Sequence, residues 1–154
     1  MFFIPERLEG KEVSVIGEAA FQSNGEIKQA VLPAGSVTIE ERAFEGCSEL
    51  QYVFLNEEVR EIGYRAFGDC NSLEEITFPE GMTDIRAGIC EECTGLKKIV
   101  LPKSMCFIDE NAFSGCMELQ LVYGESEFAE AFAEKEGKIY VDFGRIREEG
   151  NQVW

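Results

Sequence analysis

The chain contains no histidine, which removes Ser-His-Asp and Cys-His catalysis and the histidine-based zinc sites in one step. Basic residues are scarce. Fourteen lysines and arginines against 30 acids leave a net charge of −16, so neither nucleic acid nor an anionic lipid surface is expected as a partner. No apolar run approaches the roughly 18 to 20 residues that span a bilayer, and membrane insertion is not expected. The opening MFFIPERLEG lacks the basic segment and long apolar stretch of a signal peptide, which points to the cytoplasm if the chain is complete. G-x-G-x-x-G and P-loop spacings are missing, as is any Asn-x-Ser/Thr acceptor, and no cofactor is expected. What remains is 154 residues, 45% of them apolar, enough for one folded domain.

What is present is a period. Written in registers of 23 residues, the chain aligns Ile16, Ile39, Ile62, Ile85 and Ile108 in one column. Five residues on stand Phe21, Phe44, Phe67, Cys90 and Phe113, and eight on Asn24, Cys47, Cys70, Cys93 and Cys116. Further columns hold Ile27, Leu50, Leu73, Leu96 and Leu119, then Ala30, Val53, Ile76, Ile99 and Val122. Leu32, Leu55, Phe78 and Leu101 are followed by Pro33, Asn56, Pro79 and Pro102. A fixed period of this length is the mark of a solenoid, in which each copy buries its apolar side chains only against its neighbours.

Within a copy, the spacing of Leu50, Val53 and Leu55 predicts a short strand with Val53 and Leu55 inward, ended by proline in Leu101-Pro102. The return segment turns Val59 and Ile62 inward, and Arg65 to Cys70 is read as a single 3₁₀ or α turn that inserts Phe67 as the plug of its rung. Residues 1–15 form an imperfect leading rung, whose apolar start leaves a core end to be covered by a partner or by self-association. Residues 16–123 are five repeats. Residues 124–143 form a cap, with Ser126 as N-cap, a helix over Glu127 to Lys135 carrying Phe128 and Phe132, Gly137 beyond its end, and a last strand over Lys138 to Phe143. Residues 144–154 are a tail, frayed or packed on the cap. The fourth copy is irregular: Cys90 replaces the plug, with Ile89 before it, and this rung is expected to be the least tightly packed.

The unit LP-x₆-I-x₃-AF-x₂-C-x₂-L-x₂-V, as in LPKSMCFIDENAFSGCMELQLV, resembles the BspA-type leucine-rich repeat over about Val13 to Val122. IPERLEGKEVSVIGEAAF resembles that family's first repeat and GESEFAEAFAEKEGKIYV its closing segment. The resemblance implies an α/β leucine-rich-repeat solenoid, a right-handed superhelix of short parallel strands with single helical or 3₁₀ turns and a C-terminal capping helix. It further implies a secreted or cell-surface protein whose repeats bind or adhere to other proteins, host or cell-surface proteins among them, with no catalytic residue to carry over. Asn24 and Cys90 depart from the pattern, and the chain shows no leader or anchor.

The cysteine column has two readings: disulfides between adjacent rungs, or buried thiols donating weakly to turn carbonyls. The column's inward place and Asn24 at the same position favour the second. Cys90 and Cys93 form a C-x-x-C, a remote thiol or metal candidate, but both lie on inward columns and acids separate them. Cys106 is the thiol expected at the surface. The carboxylates fall on outward columns as a solvated face, no catalytic pair is assigned, and a loose calcium site among Glu57, Glu58 and Glu80 lacks EF-hand spacing. The informative surface is the outward side of the strands. One column there reads Gln29, Tyr52, Glu75, Lys98 and Leu121, the other Val31, Phe54, Thr77, Val100 and Tyr123. β-propensity on a half-exposed sheet explains such residues; so does an apolar stripe that binds an extended protein partner or another copy. Glu74 and Glu75 are expected to pair with Lys97 and Lys98. The expectation is a non-catalytic protein-binding module centred on Tyr52, Phe54, Val100 and Tyr123, or alternatively a structural spacer that self-associates through its N-terminal rung.

Overall fold

The computed structural model describes residues 1–147. Its elements, in chain order, are β1 (Phe2–Phe3), β2 (Arg7–Leu8), β3 (Lys11–Glu12), β4 (Val15–Ile16), β5 (Gln29–Val31), β6 (Thr38–Ile39), β7 (Tyr52–Phe54) and β8 (Glu61–Ile62). They continue with β9 (Glu75–Thr77), β10 (Asp84–Ile85), β11 (Lys98–Val100), β12 (Phe107–Ile108), β13 (Leu121–Gly124), α1 (Glu127–Lys135) and β14 (Ile139–Asp142). A parallel sheet of seven strands, in the order β1-β5-β7-β9-β11-β13-β14, forms one side of a solenoid. The return segments form a second, narrower side, β4-β6-β8 and β10-β12.

The register is the 23-residue one. Ile16 lies opposite Ile39, Ile39 opposite Ile62, and Ile85 opposite Ile108. The inward columns fill the core, where Ile39, Phe44, Leu50, Phe67, Leu73, Ile76, Ile85, Leu96 and Ile99 lose all contact with solvent. The plugs stack along the axis: Phe21 on Phe44 at 5.1 Å and Phe44 on Phe67 at 5.5 Å, with interplanar angles of 18° and 13°. Where Cys90 interrupts the stack, Phe78 turns inward from the strand end and meets Phe113 edge-on at 6.4 Å. Ile89 and Cys90 of the fourth rung are buried. Bulk removed from one column returns in another.

The turn segments are neither 3₁₀ nor α. The Ala66, Gly68 and Cys70 amides donate to the carbonyls three residues back, those of Gly63, Arg65 and Phe67. The alternate amides of Phe67 and Asp69 instead donate to Ile89 and Glu91 of the next rung. A helix would direct every amide backward. Here positive φ at Arg65 (52°) and Asp69 (54°) turns every second amide outward, and the turns pair between rungs as strands do. The same columns are left-handed at Ala19, Arg42 and Gly88, and at Ser23, Gly46, Glu92 and Gly115.

Two elements close the ends. The polar insertion near Gly10 is a hairpin pairing β2 with β3, with positive φ at Glu9 and Gly10 as a two-residue I′ turn requires. At the other end Ser126 Oγ accepts the Ala129 amide at 3.1 Å and Gly137 takes φ 66° beyond α1. Ala129 and Ala133, rather than Phe128 and Phe132, are the helix's fully buried residues. The small side chains bring α1 so close that a Cβ on Gly124 would sit 2.7 Å from the Ala129 Cβ. β14 then extends the sheet beside β13. Phe143, expected at the end of that strand, instead begins a helical turn over 143–147; the rest of the expected tail, 148–154, lies outside the described residues.

Candidate binding groove on the strand face

The strand face is organised by pairing. Gln29, Tyr52, Glu75, Lys98 and Leu121 follow one another across the sheet, and the ladder also sets Val31 beside Phe54 and carries Thr77 through Val100 to Tyr123. Between β7 and β9 the pairing contracts to Tyr52 opposite Glu75 alone. Beyond that point the strands diverge, and Leu55, expected inward, is half-buried. Phe54 stands 48% exposed there, while Phe78 of the adjoining rung is almost completely covered.

A groove of about 780 Å³ opens along this line of divergence. Five of the ten residues singled out from sequence line it: Tyr52, Phe54, Glu75, Thr77 and Val100. Val31 lines a second hollow on the N-terminal side of Phe54. Gln29, Lys98, Leu121 and Tyr123 lie outside the groove on the same face. Sequence reasoning missed Pro79, Glu80, Pro102, Lys103, Glu125, Phe143 and Arg147, which also line the groove. The Leu-Pro column carried a signal for the prolines and their followers. Phe143 and Arg147 had none, because the tail has no repeat.

The polar groups are arranged by rung. Lys98 Nζ pairs with Glu75 Oε2 at 2.6 Å and lies 5.0 Å from the centre of the Tyr123 ring, which in turn packs on Phe143 at 5.0 Å. Glu74 does not take Lys97 as expected; it accepts the Tyr52 hydroxyl at 3.3 Å, and its charge holds the Tyr52 phenol above the usual range. At the cap end Glu125, 17% exposed, lies between Lys103 (2.9 Å) and Arg147. One rung before Lys103, Glu80 Oε1 accepts the Lys103 amide at 3.1 Å, and Glu57, a further rung back, is exposed.

The remaining candidates divide clearly. Cys47, Cys70, Cys93 and Cys116 direct Sγ to the carbonyl of the plug residue one rung earlier, Phe21, Phe44, Phe67 and Cys90, at 2.8–3.1 Å. The column is therefore a thiol ladder. Asn24, in the first complete rung, instead accepts the Glu26 and Ile27 amides of its own turn. Burial pushes the Cys47 thiol up to about 11 and the Cys116 thiol up to about 12. Cys90 is raised well above the usual thiol range by its contact with Cys93 and by burial. A thiol held protonated in the core is a poor nucleophile and a poor ligand. Cys106 is exposed, as expected. Among the described residues no group of three or more Cys, Asp or Glu is placed to hold a metal ion, so Glu57, Glu58 and Glu80 do not form the calcium site considered from sequence.

Stacked parallel coils, a turn ladder opposite the strands and a terminal helix define a leucine-rich-repeat solenoid. The BspA type leucine rich repeat region matches residues 11–133 in six copies, and the chain belongs to that family. It is similar to a leucine-rich repeat protein of T. pallidum, with 32% identity over 79% of this chain and 56% of that one, and a TM-score of 0.74. It is also similar to a leucine-rich cell surface protein of Faecalibacterium prausnitzii, with 30% identity over 86% of this chain and 34% of that one, and a TM-score of 0.77. The pneumococcal vaccine antigen PcpA, 13% identical over 92% of this chain and 40% of that one, shares the fold at a TM-score of 0.63. The chain thus spans about half of the first of these proteins and a third of the second. No curated protein matches it.

Proposed function

We propose that the chain is a non-catalytic protein-binding module of the adhesive kind, and that it takes an extended protein segment in the strand-face groove. The observation that carries this reading is the divergence of β7 from β9, which leaves Phe54 exposed on the N-terminal wall of the groove. Concave apolar sites with a few convergent polar groups are where binding energy concentrates, and an exposed aromatic in such a site is a typical anchor. The buried thiols and the lack of histidine support a reading without catalysis. A surface location belongs to the same proposal and is supported by the cell-surface relative.

The test is selection of a displayed peptide library on the folded protein. Peptides enriched on wild type are expected to lose about tenfold or more in affinity for Tyr52→Ala/Phe54→Ala. Undiminished affinity for the double variant would remove this face from the proposal. A second reading, self-association, draws on the N-terminal edge, where Phe2 and Phe3 of β1 are 38% and 65% exposed. Sedimentation separates the two, because a strictly monomeric protein at high concentration rules out the second.

A further inference from the structure

Just past the end of each strand one amide joins its rung to the next. Ile4 donates to the Val31 carbonyl, Leu32 to Phe54, Phe78 to Val100 and Leu101 to Tyr123, at 2.8–3.2 Å. The corresponding bond from Leu55 to the Thr77 carbonyl is missing among the described residues. The pairing of β7 with β9 has by then already stopped at Tyr52 opposite Glu75, so the Thr77 amide also faces the gap without a strand partner. Leu55 and Thr77 both line the groove, and Thr77 is exposed.

This rung differs from the others at one corner residue. Asn56 stands where Pro33, Pro79 and Pro102 stand elsewhere in the column. Its Nδ2 donates to the carbonyls of Pro33 at 2.5 Å and Ser36 at 3.0 Å, and its Oδ1 accepts the Glu58 amide at 2.7 Å. The two Nδ2 bonds tie the corner back to the preceding rung, away from β9, and a proline has no such donor. Open backbone amides and carbonyls in a half-covered site require partners. The N–H and C=O groups of an extended main chain are their complement in partial charge.

We infer, resting on the groove reading above, that Asn56 holds this junction open and that the groove recognises its partner by main chain. An extended protein segment enters between β7 and β9, accepts from the Leu55 and Thr77 amides and donates to the Thr77 carbonyl, while Phe54 packs on its side chains. Asn56 is a positioning residue in this scheme. Only every second residue of an extended chain turns its N–H and C=O to a given side, so the contact has a two-residue period.

Amide hydrogen exchange followed by NMR tests the opening without any partner. The Leu32, Phe78 and Leu101 amides are expected to be protected and the Leu55 amide not, and in Asn56→Pro the Leu55 amide gains protection. Proline is what the column carries elsewhere, and the Asn56 amide has no backbone partner among the described residues that the substitution would remove. The binding probe is the capped peptide most enriched in the displayed-library selection, with analogues N-methylated at one residue each. A periodic loss is expected, about tenfold at the residue whose N–H meets the Thr77 carbonyl and little at its neighbours. The unmodified peptide is expected to lose as much against Asn56→Pro. A Leu55 amide as protected in wild type as that of Leu32, or unchanged by Asn56→Pro, would overturn the inference. A methylation series without effect, for a peptide that Tyr52→Ala/Phe54→Ala no longer binds, would overturn it too and leave the groove reading standing. Undiminished affinity for that double variant would remove the groove reading and the inference together.

Discussion

Four buried thiols tie stability to alkaline pH. In the unfolded chain a cysteine loses its proton near the ordinary value of 9.0, whereas Cys47 keeps it to about 11 and Cys116 to about 12. Cys70 and Cys90 are raised in the same direction, Cys70 chiefly by burial and Cys90 by its contact with Cys93 and then by burial. Below the unfolded value both states are protonated and the contribution is whole. Above it the unfolded chain gains ionisation that the native core denies, so stability falls as pH rises. Each thiol removes about 1.4 kcal/mol per pH unit in that window. Four together remove about 4 kcal/mol between pH ~9 and ~10, because the unfolded thiols are only half ionised at the start of that interval; the stability of an ordinary domain is roughly 5–15 kcal/mol. The assay is urea unfolding in reducing buffer at a series of pH values up to about 10, below which tyrosine contributes little. Cys70→Ala is expected to reduce the slope by about a quarter, and Cys106→Ala, at an exposed thiol, to leave it unchanged. A flat profile above pH ~9, or equal effects of the two substitutions, would refute the assignment of Cys47, Cys70, Cys90 and Cys116 as buried protonated thiols.

Other perturbations follow from the same geometry. Phe67→Ala, at a fully buried plug stacked on Phe44, is expected to cost about 3–5 kcal/mol in chemical denaturation, whereas the partly covered Phe113 should cost less. Arg65 is 16% exposed and binds Glu45, Asp69 and Glu91, the last at 2.7 Å. Arg65→Met leaves Glu45 covered and short of its main partner, and a loss of about 2–3 kcal/mol is expected at neutral pH. Burial raises the Glu45 carboxyl, but Arg65, helped by Gln22 and Arg42, holds it below its ordinary value. The stability this confers is whole above the ordinary carboxyl value and is lost as pH falls through the depressed one, so thermal melts should show a shallower acid limb in the variant. Ser36 is completely buried, and its hydroxyl has no partner among the described residues. Ser36→Ala is expected to raise stability by about 1 kcal/mol, and an unchanged or lowered melting temperature would indicate a partner for that hydroxyl.

The stacking was legible because it is written one residue type per column: Ile39 over Ile16 and Cys70 over Cys47 follow from the spacing alone. The cap was legible for a different reason, the local signals of Ser126 and Gly137. The alternating turn amides were not, because they depend on left-handed backbone at Arg65, a residue type with no such preference, as well as at Asp69. Contacts fixed by three dimensions were equally hidden. Glu45 and Glu91 meet on Arg65 from 20 and 26 residues away, and no column announces it. The groove was half visible. Its strand residues stood out as an apolar outward column, but its depth comes from the loss of pairing beside Phe54 and its closed end from Phe143 and Arg147, beyond the last repeat.

Because each thiol reaches a carbonyl one coil earlier, and each Ile lies against its counterpart in the next, the seam between coils is nearly the same wherever it is cut. Length is therefore a free parameter of this architecture. Removing or duplicating 23 residues rejoins like with like, whereas a change of 22 or 24 would set cysteine on the neighbouring columns, those of Gly46, Asp69 and Glu92 or of Ser48, Asn71 and Thr94, all the way to the cap. The protein can grow or shrink only in whole steps, and the groove, built where the last steps meet the closing helix, keeps its place at the end however many precede it.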